Sequence, residues 1–290
     1  MTIKRVGLIG VGLMGHGIGK NILAKGYELV VMAHRNRAPV DDLIAKGATE
    51  CASARGVAAE ADVVILCVTG TPQIEGLVYG DDGLLGAVRD GFVVADCSTA
   101  EPASTVKIAA DVEARGGRFV DTPMTRTPNE AEAGKLALMV GGPADVLARI
   151  RPVLDCFADT IVHAGAVGSA HRLKLINNFL AICHAAAAAE AITVAAKAGV
   201  DMEALRAVVM AGGAASTMFG RMMNVPLHDD DRHAQFAIRN ARKDLRYYTN
   251  MTEELPVASF LAETTHQITV LAGPENRGVP DQPNRAVSQE

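Results

Sequence analysis

A glycine-rich turn near the amino terminus constrains the fold of this chain more than any other feature. Three glycines in the pattern Gly-x-Gly-x-x-Gly follow the apolar run 6–9 and precede an amphipathic segment at 18–25. A strand, a glycine turn and a helix in this order form the fingerprint of a dinucleotide-binding unit. The first glycine permits a tight turn, the second admits a pyrophosphate to the backbone, and the third lets helix and strand pack closely. The predicted cofactor-binding residues of this turn are Gly10, Gly12, Leu13, Met14 and Gly15.

Short apolar runs alternate with segments of helical spacing through residues 1–164, which we assign to a first, dinucleotide-binding domain. This alternation is typical of a doubly wound α/β sheet with parallel strands, a Rossmann-like fold. Ligands of such sheets bind beyond the carboxyl ends of the strands. The predicted strands are 3–9, 29–32, 63–67, 93–96, 118–121, 136–140 and 160–163, and the predicted helices include 40–46, 74–77, 103–115 and 144–154.

The rest of the chain, residues 165–290, is predicted to be an all-α domain that a long helix joins to the first domain. No proline or glycine interrupts residues 169–198. A helix of about 30 residues is about 45 Å long, which suits a spine between two domains. Asp201 is a predicted N-cap for the next helix. The apolar face of that helix is predicted to comprise Leu205, Val208 and Val209.

The composition excludes several classes of function. The net charge of −5 provides no basic field for nucleic acids or membrane surfaces. We find no signal-peptide pattern, and a charge or a glycine interrupts each long apolar run, so we expect a cytoplasmic protein without a membrane span. The five cysteines are scattered, which is typical of reduced thiols. No metal-ligand spacing is evident, and solvated or capping roles are expected for His163 and His171.

The residues after the second predicted strand distinguish between the two nicotinamide cofactors. An acidic residue there binds the ribose 2′-hydroxyl of NAD, but this chain has no acid before Asp41. Arginine and histidine side chains suit the 2′-phosphate of NADP instead. We therefore expect NADP(H) to be preferred over NAD(H); the alternative is a basic surface turn without a ligand. The residues concerned are His34, Arg35, Asn36 and Arg37.

Further motifs follow the glycine turn in a fixed order: Asp96-Cys97-Ser98-Thr99, Gly165-x-x-Gly168, Lys174-Leu175-Ile176-Asn177-Asn178 and Lys243-Asp244-Leu245. With these motifs the chain resembles the β-hydroxyacid dehydrogenase family, from Ile3 to about residue 270. The resemblance implies a Rossmann-like domain, a long connecting helix and a helical C-terminal domain. It also implies an NAD(P)-dependent oxidoreductase that interconverts a short acidic semialdehyde and its β-hydroxy acid, of the 3-hydroxyisobutyrate, tartronate semialdehyde or sulfolactaldehyde type. A homodimer or homotetramer is expected on the same ground, and the polar tail from Pro274 is expected to be poorly ordered or to lie over a partner subunit.

The resemblance assigns roles to residues that match these motifs. Lys174 corresponds to the catalytic lysine and Asn178 to its partner one helical turn later. Lys243 corresponds to a lysine of the C-terminal domain that is supported by Asp244. Lys174, Asn178 and Lys243 are also predicted to bind a small anionic substrate, and Lys243 to contact the cofactor. The other cofactor contacts, near the nicotinamide, are predicted at Val68, Thr69, Ser98 and Thr99.

The loop 125–127 departs from the family pattern. The family usually places Ser-Gly-Gly after Asp-x-Pro-Val, and backbone N–H groups there hold the substrate carboxylate. This chain has Thr125, Arg126 and Thr127 at the corresponding place, so the glycine pair is lost. We predict that these three residues bind substrate and that the guanidinium of Arg126 holds a carboxylate, sulfonate or phosphate. The alternative is that Arg126 is an ordinary surface residue.

The chemistry of carbonyl reduction explains the need for a lysine. Hydride transfer to an aldehyde leaves negative charge on the carbonyl oxygen, which must be stabilised and protonated. Lys174 can do both when burial and a nearby cation lower its pKa. Lys174 and Asn178 share one helix face because they are four residues apart. The apolar positions expected to pack and hold this face rigid are Leu173, Ile176, Phe179 and Leu180.

Two other interpretations stay open at this point. An imine reductase shares the architecture, but that branch generally lacks the lysine, so Lys174 argues against it. A non-catalytic cofactor-binding protein on the same fold is the second alternative. A Lys174→Ala variant separates these interpretations, and full turnover in that variant would contradict the hydroxyacid dehydrogenase hypothesis.

Overall fold

Residues 3–230 and 236–273 are described by a computed structural model, and they belong to two compact units. The first unit is Met1–Lys174 and the second is Leu175–Glu290. The boundary falls inside the long helix rather than in a loop. The first turns of that helix therefore belong to the α/β unit, and its remainder belongs to the helical unit. The predicted behaviour of the tail from Pro274 lies outside the described residues.

The first unit is an α/β structure in which each predicted strand forms. Its strands are β1 Arg5–Ile9, β2 Glu28–Met32, β3 Thr49–Glu50, β4 Val63–Leu66, β5 Val93–Asp96, β6 Arg118–Asp121, β7 Met124–Thr125, β8 Leu136–Gly141 and β9 Ala158–Gly165. Its helices are α1 Gly15–Ala24, α2 Ala38–Ala45, α3 Ala54–Glu60, α4 Thr71–Tyr79, α5 Pro102–Glu113, α6 Pro128–Glu132 and α7 Ala144–Leu154, with a 3₁₀ turn at Leu84–Ala87. The short elements β3, α3, β7 and α6 are additional to the prediction.

The strands form one sheet in the order β3-β2-β1-β4-β5-β6-β8-β7, with β9 paired to β8. From β3 to β6 all neighbours are parallel, as predicted. The sheet is mixed rather than wholly parallel, because β8 runs antiparallel to β6 and to β7. The connection from β7 to β8 holds only the short helix α6, so the chain reverses direction there instead of crossing over.

Both faces of the sheet are covered, which explains the nearly continuous apolar runs of its central strands. Every residue of β4 and β5 is buried. One core lies between the sheet and the face that carries Ile18, Leu43 and Ile150. A second core, around Ile74 and Phe119, covers the other face. The carboxyl ends of the central strands are thereby held at a fixed edge, where β1, β4, β5 and β6 deliver their following loops.

The second unit contains helices only within the described residues, as predicted. Helix α8 spans Ser169–Lys197 and is followed by α9 Met202–Ala211, α10 Thr217–Met222, α11 Asn224–His228, α12 Ile238–Glu254 and α13 Phe260–Leu271. Asp201 caps α9, because its carboxylate accepts the Ala204 N–H at 2.8 Å. Leu205 and Val209 pack on the small core around Phe219, but Val208 is 73% exposed, so its predicted place on that face is wrong.

Helix α8 packs on α12 through a different face from the one predicted. Leu173, Ile176 and Leu180 are 39–49% exposed, and of the four predicted positions Phe179 packs on a core cluster. Leu175 is buried against Tyr247 and Met251, and Ile182 is buried against Ala241 and Leu245. The buried face therefore repeats at 175, 178 and 182, the spacing of one helical stripe. Asn178 therefore lies on the buried stripe of α8.

Helix α8 contains the longest apolar run of the helical unit, bounded by the charged residues Lys174 and Glu190. By length and composition alone it is apolar enough to cross a membrane. A single helix of this kind is weak evidence, because the core helix of a soluble protein passes the same test.

Candidate active site

The turn between β1 and α1 has no room for side chains at two of its three glycines. Gly10 has a φ of +102°, and a Cβ atom there would lie 2.1 Å from the carbonyl oxygen of Cys67. A Cβ atom at Gly15 would lie 2.0 Å from the carbonyl oxygen of Gly10. These two glycines are therefore required by the protein's own packing, as the fingerprint predicts for its first and third positions.

Gly12 differs from its neighbours because nothing in the protein crowds it. A Cβ atom at Gly12 would meet no other atom within 4 Å. Internal packing therefore does not require a glycine at position 12, and the open backbone there leaves room for a pyrophosphate. Leu13 is 71% exposed and Met14 immediately precedes α1. The turn fits the pyrophosphate of a dinucleotide, which the N–H groups at the start of α1 would hold.

The basic turn after β2 contains two arginines in different situations. Arg37 is engaged: its guanidinium donates to Glu50 at 2.9 and 3.0 Å and to Asp41 at 3.1 Å. The contacts with Glu50, and then Asp41, raise its pKa further. Arg35 is exposed and forms no hydrogen bond or ion pair within the part of the chain that the structure describes. An anion at Arg37 would therefore have to compete with Glu50 and Asp41, whereas Arg35 has no such competitor within the described residues.

The other two residues of this turn have modest contacts. Asn36 accepts the Ala38 N–H at 3.2 Å through its side-chain oxygen, which supports the start of α2. His34 is exposed. Both stay predicted cofactor contacts, and neither has a contact that excludes that role.

The loops after β4 and β5 are joined by Ser98. Its hydroxyl oxygen accepts the Val68 N–H at 3.0 Å, and its own N–H donates to Asp96 at 2.9 Å. Ser98 is 4% exposed, whereas Thr69 is exposed and Thr99 is half-buried. The predicted nicotinamide contacts therefore occupy one connected pair of loops at the carboxyl edge of the sheet, where ligands of this fold bind.

Two buried carboxylates follow β5 and β6. Asp121 is fully buried and accepts the N–H groups of Gly168 and His171, each at 2.8 Å. It therefore caps the N-terminus of α8 from a neighbouring strand. A Cβ atom at Gly141 would lie 2.4 Å from the Asp121 carboxylate, so this glycine makes room for the cap. Burial raises the pKa of the other carboxyl, Asp96, and the nearby His171 opposes that shift.

His171 is fully buried, so the expectation of a solvated side chain is wrong for it. Its Nε2 lies 3.2 Å from the carbonyl oxygen of Ser98, to which it donates, and its Nδ1 lies 2.8 Å from the hydroxyl of Thr105. Nε2 is also 3.9 Å from Oδ2 of Asp96. His163, by contrast, is exposed and its Nε2 donates to the Gly142 carbonyl at 2.8 Å.

Lys174 lies on α8 one turn after His171 and is half-buried. Asn178 follows one further turn along the same face and is 7% exposed. The spacing predicted for the catalytic pair is thus realised on one continuous helix. Their catalytic roles stay predictions.

A buried carboxylate joins Asn178 to Lys243 within the second unit. The side-chain amide of Asn178 donates to Asp244 at 2.6 Å, and the Lys243 ammonium lies 2.8 Å from the other oxygen of Asp244. The amide of Asn177 donates to the Asn178 oxygen at 3.1 Å. The Lys243 ammonium also lies 4.7 Å from the centre of the Tyr247 ring. Asp244 therefore fixes the orientation of Asn178 and holds a cation beside it.

The loop 125–127 keeps a glycine-like backbone without a glycine. Arg126 has a φ of +81°, in the left-handed region that non-glycine residues rarely adopt. Its guanidinium donates to Asp159 at 2.8 Å, to Thr160 at 3.2 Å and to the carbonyl oxygen of Lys135. An anionic ligand at this guanidinium would have to compete with Asp159. The structure therefore gives Arg126 an anchoring role, and its predicted substrate contact stays untested.

The residues on either side of Arg126 belong to defined elements. Thr125 is in β7 and pairs with Ala137 of β8. Thr127 is the N-cap of α6, where its N–H donates to Glu130 at 2.9 Å in a capping box. These contacts fix the ends of the loop, so Arg126 is the residue whose backbone must adapt.

The sequence analysis assigned no role to Asp121 and expected a solvated or capping role for His171, although both adjoin motifs that it identified. The signals were Asp121 at the carboxyl end of a strand and His171 directly after the Gly165-x-x-Gly168 turn. Within the described ranges, no group of three or more His, Cys, Asp or Glu side chains is arranged to hold a metal ion.

Two family models match nearly the whole chain. Residues 5–165 match the NAD-binding domain of 6-phosphogluconate dehydrogenase. Residues 168–287 match the NAD-binding domain of NADP-dependent 3-hydroxyisobutyrate dehydrogenase. The first match covers the unit with the glycine turn, and the second covers the unit with Asn178 and Lys243.

The chain is also similar, over most of its length, to individual dehydrogenases and reductases. The chain is 31% identical to 2-(hydroxymethyl)glutarate dehydrogenase of Eubacterium barkeri over 83% of this chain and 80% of that protein. It is 29% identical to 3-sulfolactaldehyde reductase of Escherichia coli over 95% of this chain and 92% of that protein. A structure of Mycobacterium tuberculosis 3-hydroxyisobutyrate dehydrogenase with L-serine aligns with a TM-score of 0.86 at 25% identity, covering 95% of both chains. Imine reductases of known structure, at 17–19% identity, share the fold alone.

Proposed function

The chain belongs to the β-hydroxyacid dehydrogenase family of NAD(P)-dependent oxidoreductases, and we propose that it reduces a short acidic semialdehyde to its β-hydroxy acid. The reverse oxidation uses the same residues. The observation that carries this proposal is the buried cluster of Asn178, Asp244 and Lys243, one helical turn after Lys174. It offers a cation and an oriented amide to a substrate that is both anionic and oxygenated.

We propose that the cofactor is NADP(H) in preference to NAD(H). The glycine turn at 10–15 would hold the pyrophosphate, and Ser98 and Val68 would line the nicotinamide end. Arg35 would bind the 2′-phosphate, because its guanidinium is exposed and lacks the carboxylate partners that Arg37 has. When bound, the reduced cofactor supplies the hydride that forms the new C–H bond of the product.

Lys174 is proposed as the general acid of the reduction. Its ammonium donates a proton to the carbonyl oxygen as negative charge develops there, and the resulting alcohol leaves with that proton. In the oxidation, the neutral amine takes the hydroxyl proton. Asn178 orients this exchange, because its amide is itself held by Asp244 and Asn177. Lys243 would bind the anionic end of the substrate.

The two alternative functions do not require Lys174. An imine reductase or a non-catalytic cofactor-binding protein would have no need of a lysine with an oriented asparagine one turn later. Imine reductases share the architecture of this chain, and architecture does not determine the reaction. The Asn178–Asp244 contact at 2.6 Å is what favours the hydroxyacid reaction over both.

We further propose that the protein assembles as a homodimer or homotetramer. On α13, Phe260 is 83% and Leu271 is 72% exposed, and on α9 Val208 is 73% exposed. Large apolar side chains exposed on several helices are typical of protein contact surfaces. The mass measured by light scattering tests this: a dimer or tetramer supports it, and a monomer at micromolar concentration contradicts it.

A cytoplasmic location is part of the same proposal. All five cysteines are free thiols, and Cys97, Cys156 and Cys183 are buried. Free thiols are typical of reducing compartments. Fractionation of cells that express the tagged protein tests the location, and recovery in a membrane or secreted fraction would contradict it.

Oxidation of NADPH beside NADH tests the proposed function. The purified protein is assayed against short semialdehydes that carry a carboxylate or a sulfonate. Turnover with NADPH and an acidic semialdehyde, and less with NADH, supports the proposal. Tight NADPH binding with no turnover on any acidic aldehyde would contradict it, and turnover on a cyclic imine would favour the imine-reducing alternative.

A further inference from the structure

A network of buried polar groups joins the carboxyl ends of β5 and β6 to the first turn of α8. Its members are Ser98, Asp121 and His171, with Thr105 behind the imidazole, and each is at most 4% exposed. Buried polar groups are costly unless they are paired, so a network of this kind fixes the elements that it joins. These elements are the loop assigned to the nicotinamide and the helix that carries Lys174.

Asp121 acts on the backbone of the helix. Its two oxygens accept the N–H groups of Gly168 and His171, each at 2.8 Å. Gly168 has a φ of +87°, a conformation that favours glycine and aims its N–H at the cap. Gly141 leaves room for the Asp121 carboxylate, because a Cβ atom at Gly141 would clash with it. The helix start is thus tied to the end of β6 by charge-assisted hydrogen bonds.

His171 acts on the loop after β5. Its Nε2 donates to the carbonyl oxygen of Ser98 at 3.2 Å, because a carbonyl oxygen only accepts. Its Nδ1 pairs with the Thr105 hydroxyl at 2.8 Å, which holds the plane of the ring. The hydroxyl of Ser98 accepts the Val68 N–H at 3.0 Å, so the contact extends to the loop after β4.

We propose that Asp121 and His171 are positioning residues that set the place of Lys174 relative to the Ser98 loop. Lys174 lies three residues after His171 on the same helix, so a displacement of the first turn moves both. This proposal rests on the proposed function of Lys174. Neither side chain is proposed to touch the reacting atoms. The network therefore contributes to catalysis through the position of Lys174, in addition to stabilising the fold.

A pair of substitutions at His171 separates positioning from packing. Leucine fills the site without hydrogen bonds, whereas the glutamine amide can donate to Ser98 and accept from Thr105. We expect His171→Leu to lower kcat by about 10- to 100-fold, because small misplacements of catalytic groups are costly. The dissociation constant for NADPH should stay within about threefold of the wild-type value, and His171→Gln should restore most of kcat. His163→Leu, at the exposed histidine, is the matched control and should leave kcat unchanged.

Asp121→Asn tests the cap in the same assay. An amide keeps one acceptor oxygen but presents a donor to the second N–H group, so one of the two contacts is lost. We expect kcat to fall about tenfold with the KM of the semialdehyde little changed. A lower melting temperature with unchanged kcat in the folded fraction would overturn the proposal, because it would show a purely structural role.

The sharpest test combines His171→Leu with Lys174→Ala and follows NADPH consumption in a single turnover. If His171 acts through Lys174, His171→Leu slows the wild-type enzyme at least about tenfold but slows the Lys174→Ala enzyme by less than about threefold. Equal factors in both backgrounds would overturn the proposal. Should His171→Leu fail to fold, Thr105→Val removes the partner of Nδ1 instead, and its kcat must fall for the proposal to stand.

The failure of this proposal is distinguishable from the failure of the proposed function. A strong loss in Lys174→Ala with no loss in the folded His171 and Asp121 variants overturns the positioning role alone. Full turnover in Lys174→Ala overturns the proposed function, and the positioning role with it.

Discussion

The turn after β2 and the first part of α12 both place cations next to the protein's own carboxylates, but with different consequences. In the turn, Glu50 and Asp41 hold Arg37 at an exposed surface and leave Arg35 without such a partner. In α12, Asp244 is 3% exposed and holds both Lys243 and Asn178. An exposed ion pair contributes little to the free energy of unfolding and mainly orients its members. Removal of one partner from a buried ion pair lowers the free energy of unfolding strongly, because a buried charge is left unpaired. The comparison indicates that carboxylate partners occupy an exposed arginine and leave its neighbour, unpartnered among the described residues, available to a ligand, whereas a buried carboxylate positions Lys243 beside Asn178.

The largest effect is expected at the buried carboxylate. Asp244→Asn keeps the volume but removes the charge that Lys243 faces, and it leaves one acceptor oxygen where Asn178 and Lys243 now use two. We expect catalytic efficiency to fall by about 100-fold, with a lower melting temperature, because a buried pair is broken on one side. Steady-state kinetics and thermal unfolding measure the two effects. Asp201→Asn, at the exposed N-cap of α9, is the matched control. Wild-type kinetics in the Asp244→Asn enzyme would contradict the distinction between the buried carboxylate and the exposed ones.

The two arginines of the β2 turn provide a direct contrast. Arg35→Ala should weaken NADPH binding by about 10- to 100-fold, since a charged hydrogen bond to the phosphate is lost. Arg37→Ala should weaken it by less than about threefold, because its guanidinium already serves Glu50 and Asp41. NADH binding should change little in either variant. Isothermal titration with both cofactors measures this, and the reverse ranking of the two arginines would show that ion pairing does not predict availability.

Arg126 is a third cation with a carboxylate partner, and the same rule predicts an anchoring role. Arg126→Ala should be the less stable variant and Arg126→Gly the more stable, because glycine adopts a φ of +81° without strain. The difference should appear as a few degrees in melting temperature. The KM of the semialdehyde should stay within about threefold in the glycine variant. A tenfold rise in that KM, on the order of one lost charged contact, would instead support the predicted anion contact of the guanidinium.

The smallest effect is expected at His16 of α1, which lies between Glu132 at 2.6 Å and Asp42 at 2.7 Å. Burial lowers its pKa, but the hydrogen bonds to Glu132 and Asp42 raise it above the ordinary value. A raised folded-state pKa stabilises the fold below the unfolded value of about 6.5, and this stabilisation is lost as pH rises through the folded pKa. His16→Gln should therefore lower the free energy of unfolding by less than about 1 kcal/mol at pH 6, and by a smaller amount at pH 9. Urea unfolding at the two pH values measures it, and an equal loss at both would contradict the ion-pair account.

The elements of the first unit were predictable because their signals are local. The apolar runs at 63–67 and 93–96 mark buried strands, and the glycine turn marks the connection to α1. The direction of β8 was not predictable, since it depends on a reversal around the short helix α6. The face of α8 that packs inward was also mistaken, because α12 selects the stripe with Leu175 and Ile182.

The candidate site residues are named from sequence motifs and stay predictions, but the partners that the structure gives them were not predictable. Glu50 lies far from Arg37 along the chain, and Asp159 lies farther still from Arg126. Only the folded sheet brings these carboxylates to the arginines, so the sequence could not show which guanidinium is occupied. The burial of His171, which was expected to be solvated or to act as a cap, was missed for the same reason, because it depends on Asp121, Ser98 and Thr105 from other elements.

The central claim is that Lys174 delivers the proton in the reduction of an acidic semialdehyde. The most direct test measures single-turnover NADPH oxidation by wild-type, Lys174→Ala and Lys197→Ala proteins, the last being an exposed lysine in the final turn of the same helix. The account predicts that Lys174→Ala binds NADPH normally but turns over about 1,000-fold more slowly, the loss typical of a general acid, and that Lys197→Ala matches the wild type. Turnover of Lys174→Ala at the wild-type rate would contradict the account.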